Sequence, residues 1–84
     1  MMDCRFDIWV EKQIVSSTRR QVATLDDAWR CTFELVDDAP STGRIEVIDE
    51  KRPELTLIEV GVPVARQIAG MRSGRLSHAD LIRV

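Results

Sequence analysis

The chain has 84 residues, of which 44% are hydrophobic and 31% are charged, and its net charge is −2 at neutral pH. This length predicts one small globular domain over residues 1–84, and the composition is typical of folded rather than disordered proteins. The acidic balance argues against bulk binding to nucleic acid or anionic membranes, and no apolar run approaches the roughly 18 residues of a membrane span.

The cysteines and the histidine are too few and too widely spaced for a metal site. Cys4, Cys31 and His78 form no CxxC pair and no Cys/His cluster. Free thiols are the usual state of such cysteines in a reducing cytosol, and the first residues lack the apolar stretch of a signal peptide. We therefore predict a cytoplasmic protein without metal or cofactor, in which Cys31 is buried as a small hydrophobic residue.

The chain begins with an alternating segment. Over residues 5–15, Phe6, Ile8 and Val10 fall on one side and Trp9 on the other, which predicts a strand with one buried face. The polar residues 16–20 predict a turn, and residues 21–24 predict a short strand that pairs back as a hairpin. Trp9 lies on the polar side of this strand. Either another part of the chain covers its side chain, or the side chain is exposed and can anchor a partner.

Residues 24–36 fit two structures. As a helix, Thr24 is the N-cap, Asp27 completes a capping box, and Leu25, Trp29 and Phe33 belong to one apolar stripe. As a strand, alternate residues from Trp29 to Leu35 face the core. The helix start pattern favours the helix, because a strand leaves residues 24–28 without an explanation.

The second half of the chain predicts a hairpin followed by a helix. A loop over residues 37–43 leads into strands over 44–49 and 55–60, which a turn over 50–53 connects. The apolar phase of the second strand shifts at Ile58, which predicts a bulge or burial on both faces.

A helix is expected from Pro63, with Val64, Ile68 and Met71 on one side and a stop at Gly74. Ser77 and Asp80 form a second capping-box pattern before a short C-terminal element, and residues 80–84 fit a strand equally well. The predicted fold is thus α+β, a small antiparallel sheet of two hairpins packed by two helices in the order β-β-α-β-β-α. The alternative is a mostly antiparallel β-sheet with one C-terminal helix.

No arrangement of residues indicates catalysis. Ser77, His78 and Asp80 are of the types found in a catalytic triad, but triad residues converge from separate segments, and a helix cap accounts for Ser77 and Asp80. The acidic pairs are adjacent residues in caps and turns, where carboxylates are usually solvated. We predict that the protein is not an enzyme.

The remaining expectation is a small non-catalytic protein–protein interaction or regulatory module, with homo-oligomeric association as one form. The candidate interaction surface consists of Trp9, Arg66, Arg72 and Arg75. The alternative is a nucleic-acid-associated module that uses the C-terminal arginines together with Arg19 and Arg20.

Overall fold

The computed structural model of the protein describes residues 1–72, which form a four-stranded antiparallel sheet with two helices. The elements are β1 (Met2–Val10), β2 (Gln13–Val22), α1 (Leu25–Val36), β3 (Arg44–Asp49), β4 (Arg52–Gly61) and α2 (Val62–Arg72). The strands lie in the order β2-β1-β3-β4, so β2 and β4 form the two edges. The predicted α+β fold and its element order are confirmed.

The core lies between one face of the sheet and the helices. Alternation along β1 directs Cys4, Phe6 and Ile8 towards the helices, where all three are buried. The other strands and the helices complete this core with small and β-branched side chains, namely Val22, Ala28, Val36, Ile45, Val47, Ile58, Val62 and Ala65. Burying a side chain such as Phe6 contributes about 1.5–3 kcal/mol, so this layer supplies most of the stabilisation.

The helix predicted over residues 25–36 is present, and the strand alternative is wrong. The hydroxyl of Thr24 accepts a hydrogen bond of 3.2 Å from the backbone N–H of Asp27 and caps the helix. Thr32 is buried and donates its hydroxyl proton to the Ala28 carbonyl at 2.9 Å. Leu25 departs from the predicted apolar stripe, because its side chain is 49% exposed at the first turn.

The turn of the first hairpin is not where the sequence predicted it. The chain reverses at Glu11 and Lys12, and Glu11 takes a left-handed backbone angle φ of 56°. The polar residues 16–20 lie in the middle of β2 and pair with residues 4–8 of β1. Their polarity reflects the edge position of β2, where almost every side chain meets solvent, rather than a break in the strand.

The second hairpin and α2 follow the sequence more closely. β3 has the predicted bounds, and the register with β4 shifts beside Ile58, as the apolar phase indicated. Pro63 lies in the first turn of α2, but Val64 is 51% exposed, and Val62 and Ala65 face the core instead. The predicted helix stop at Gly74, the capping box of Ser77 and Asp80 and the alternative strand over residues 80–84 lie outside the described residues.

Candidate interaction surface at the β2 edge

Trp9 lies on the sheet face that is turned away from the helices, and the chain covers part of it. Its partner across β3 is Arg44, whose guanidinium carbon is 5.1 Å from the centroid of the indole ring. Arg44 also donates a hydrogen bond of 3.1 Å to the Glu11 carbonyl, which fixes it over the ring. A cation–π contact near the surface contributes about 0.5–1 kcal/mol. The Trp9 ring therefore contributes more to packing within the domain than to a free surface for a partner.

Arg66 binds the end of α1. Its guanidinium donates to the Val36 carbonyl at 3.1 Å, to the Ala39 carbonyl and to the Ser41 hydroxyl at 3.3 Å. The last carbonyls of a helix have no partner within the helix, and a cation beside them is stabilising. Arg66 therefore joins α2 to α1 and positions the loop after α1.

Two of the four predicted surface residues, Trp9 and Arg66, have described side chains, and these lie on opposite sides of the sheet. Trp9 lies on the outer face of the sheet, whereas Arg66 lies on the helical side. Arg72 is the last residue of α2, and Arg75 and His78 lie outside the described residues. The described residues therefore leave the predicted surface of Trp9, Arg66, Arg72 and Arg75 a prediction.

The most exposed regular element is β2, in which the sequence predicted a turn over residues 16–20. It has 10 residues, and only Val22 is buried. Within residues 1–72 it pairs on one side alone, with β1, and this pairing is regular from Ser16 to Val22. Ile14 and Val15 are 46% and 53% exposed at its start. The outer side of β2 thus offers backbone groups and apolar side chains to a further strand.

A buried carboxylate holds β2 against β1. Asp7 is 1% exposed on the outer face of the sheet, although neither α1 nor α2 packs on that face. It accepts hydrogen bonds from the Ser17 hydroxyl at 2.6 Å and from Arg5 Nε at 3.0 Å. Both carboxylate oxygens are therefore bonded, and bonds to an ionised group are worth more than neutral ones. The hydrogen bond from Ser17 therefore ties the middle of β2 to β1.

A cleft of about 340 Å³ separates the start of β2 from the end of α1, and we call it the β2 cleft. Its lining combines aliphatic walls with an acidic rim and consists of Ile8, Val15, Ser16, Glu34, Leu35, Asp38, Ala39 and Pro40. Within residues 1–72, Asp38 forms no ion pair. The β2 cleft can therefore receive a side chain with an aliphatic stem and a positive end.

The other end of β2 is basic. Arg20 points to the helical side, where it bonds Glu34 at 2.8 Å, and Arg19 points to the outer face, where it pairs with Glu50 at 3.2 Å. The pKa of Arg20 is raised above its ordinary value, chiefly because the hydrogen bond to Glu34 stabilises the charged form. Both pairs are largely exposed, so each contributes little to the stability of the fold.

The two cysteines lie near this basic end, and both are free thiols. Cys4 is buried, whereas Cys31 is partly buried and packs against the core, so the burial expected of Cys31 is found only in part. Burial raises the pKa of the Cys4 thiol, and the charge of Asp49 adds to the effect. A space of about 400 Å³ beside Cys4 is bounded by Arg19, Arg20 and Glu50 among others. A raised thiol pKa is the opposite of what a nucleophilic cysteine requires.

Residues 1–72 contain no group of three acidic, cysteine or histidine residues placed to hold a metal ion. Neither α1 nor α2 has the length and apolar character needed to cross a bilayer. Comparisons with models of protein families, with curated proteins and with solved structures found no match to this chain. Its function must therefore be inferred from the geometry of the chain.

Proposed function

We propose that the protein is a non-catalytic protein–protein interaction module that pairs the outer edge of β2 with a strand of another polypeptide. In this mode of recognition, backbone hydrogen bonds to an exposed edge strand supply affinity, and adjacent pockets supply specificity. β2 has both features, namely a regular outer edge over Ser16 to Val22 and the β2 cleft beside its start. The single observation that carries the proposal is the long, exposed and regular edge of β2.

The exposed apolar side chains support this assignment. Natural edge strands are usually short, kinked or interrupted by proline, because an open edge promotes unwanted pairing. β2 keeps 10 residues without proline and exposes about half of Ile14 and Val15. A bound strand that covers these two side chains would remove their apolar surface from water.

The alternative of a nucleic-acid-associated module has less support. Arg66, one of the arginines on which it depends, donates its hydrogen bonds to α1 and the loop that follows it. Arg19 and Arg20 are joined to glutamates. If the alternative holds, duplex or single-stranded oligonucleotides bind at low salt, with an affinity that falls steeply as salt is raised.

The proposal can be tested with a displayed library of random peptides as long as β2, which has 10 residues. The chain is presented at about 1 µM, a concentration at which weak self-contacts are not populated. We expect enriched peptides, and we expect a synthetic copy of one to shift backbone amide resonances of β2 but not of β4. If no peptide is enriched, or if the shifts fall outside β2, acceptance of a foreign strand at this edge is wrong.

A further inference from the structure

We propose that the strand bound at this edge is β2 of a second copy of the same chain, in an antiparallel pair whose two-fold axis passes through Thr18. This inference rests on the proposed function, because it names the partner of the same edge. It adds a position for the axis, a register and a specific contact between one chain's arginine and its partner's β2 cleft.

The register follows from the alternation of side chains along β2. Ser16, Thr18 and Arg20 lie on the helical side, opposite Ile8, Phe6 and Cys4 of β1. Directly opposed residues of antiparallel strands point to the same face, so a two-fold axis perpendicular to the sheet must pass through a residue. The two-fold axis must therefore pass through one of the residues near the middle of β2.

Charge and regularity select Thr18 as the residue on the axis. An axis at Arg19 would place that side chain opposite its own copy, and like charges directly opposed are destabilising. An axis at Ser17 would limit regular pairing to residues 16–18, because Val15 lies where the register of β2 with β1 is irregular, whereas an axis at Thr18 extends it over residues 16–20. An axis at Thr18 places threonine opposite threonine, which is a favourable pair, and sets each arginine opposite a serine.

This register brings a basic residue to the acidic β2 cleft. The partner's Arg20 lies opposite Ser16, which lines the cleft together with Leu35, Glu34 and Asp38. Adjacent strands are about 4.8 Å apart, so a long arginine side chain on the same face reaches the rim of the cleft. In the dimer each Arg20 exchanges its exposed pair with Glu34 of its own chain for Glu34 and Asp38 of the partner, and its stem covers the partner's Leu35. The two-fold axis makes the same contact twice.

The pair also leaves neither copy with an exposed β2 edge. The combined sheet doubles the four strands that residues 1–72 form and leaves β4 of each copy at its ends. β4 contains Pro53 and pairs irregularly with β3, so it does not readily accept another strand. Association therefore closes at the dimer and does not continue into a filament.

The first test uses charge exchange between two variants. Arg20→Glu introduces a negative charge where the partner's cleft is acidic, and Glu34→Lys/Asp38→Lys makes the cleft basic where the partner's Arg20 enters. Each variant is expected to weaken its own dimer at least about tenfold, measured by sedimentation from about 1 µM to about 1 mM. An equimolar mixture is expected to recover the affinity, because both contacts then join opposite charges. Arg30→Glu on the exposed side of α1 is the control and should leave the dimer unchanged.

A second test locates the axis. Thr18→Cys places a thiol against its own copy, whereas Thr56→Cys is the matched change on the other edge strand, and both are made with Cys31→Ala. Mild oxidation should give a covalent dimer from Thr18→Cys and little from Thr56→Cys. Equal yields, or a mixture of charge variants that stays monomeric although the unmodified chain dimerises, would overturn the proposed register.

The outcomes also separate this inference from the proposed function. A chain that remains monomeric at about 1 mM overturns the two-fold pair, since even weak specific contacts are populated there. If peptides still bind β2 in that case, the proposed function stands with a different partner. If both the dimer and the peptides fail, the proposed function is overturned as well.

Discussion

The two edges of the sheet are built differently. β4 contains Pro53, which has no backbone N–H to donate, and its register with β3 shifts between Val47 and Ile48 and again beside Asp49. β2 contains no proline, and its one irregular step lies beside Ile14, so the rest of the strand is regular. One edge is closed to pairing and the other is left open.

This difference between the two edges indicates which of them is suited to pair with a partner. An open edge invites aggregation, and the common protections are proline, bulges and charged side chains. The charges on β2 are Arg19 and Arg20, but both are drawn into ion pairs with glutamates of their own chain. An edge that a buried aspartate ties to β1, that contains no proline and whose arginines are paired within the chain fits a strand that pairs with a partner.

The largest expected effect comes from the contact that holds the open edge. Asp7→Ala removes the acceptor of both the Ser17 and the Arg5 hydrogen bonds and should lower the free energy of unfolding by about 2–3 kcal/mol. Urea denaturation measures this change. Glu59→Ala, an exposed acid on β4, is the control and should change it by less than about 0.5 kcal/mol. Equal losses would show that Asp7 has no special part in fixing β2.

A smaller loss is expected at the residue that supports the β2 cleft. Arg66→Ala removes the side-chain donor of the Ala39 carbonyl and leaves the Val36 carbonyl with the Ala39 N–H alone, and it should cost about 1–2 kcal/mol in the free energy of unfolding. Arg66→Lys should recover only part of this, because an ammonium group lacks the fork that reaches several carbonyls. Arg52→Ala on β4 is the matched control. If it costs as much as Arg66→Ala, the contact does not support the end of α1.

The smallest change in stability, within about 1 kcal/mol, is expected from opening the closed edge with Pro53→Thr. The change should appear in assembly, because β2 of one chain can then pair with β4 of another, and such head-to-tail contacts do not close. Light scattering should detect species larger than a dimer that the unmodified chain does not form. Masses identical to those of the unmodified chain would show that Pro53 does not protect β4.

The sequence was sufficient for most of the fold. The start of α1 could be recognised because Thr24 and the acidic first turn leave a local pattern, and β3 because its residues are β-branched and bounded by turns. The bulge of the second hairpin appeared as a shift in apolar phase at Ile58. These features depend on neighbours in the chain, so local patterns carry them.

The candidate surface could not be found in this way. Ser16 to Arg20 have the composition of a turn, and only the pairing with β1 makes them a strand. The tight reversal at Glu11 and Lys12 has none of the Gly or Asn residues that mark such turns. The β2 cleft joins residues more than 20 positions apart, such as Val15 and Asp38, which no local pattern connects.

The most direct measurement of the central claim is amide hydrogen exchange at the two edges as a function of protein concentration. Between about 1 µM and about 1 mM, exchange of the outer amides of Ser16 to Arg20 should slow by at least about tenfold, while β4 should not change, because only β2 becomes an inner strand of the dimer. Exchange at β2 that is independent of concentration, or protection that appears equally at β4, would contradict the account.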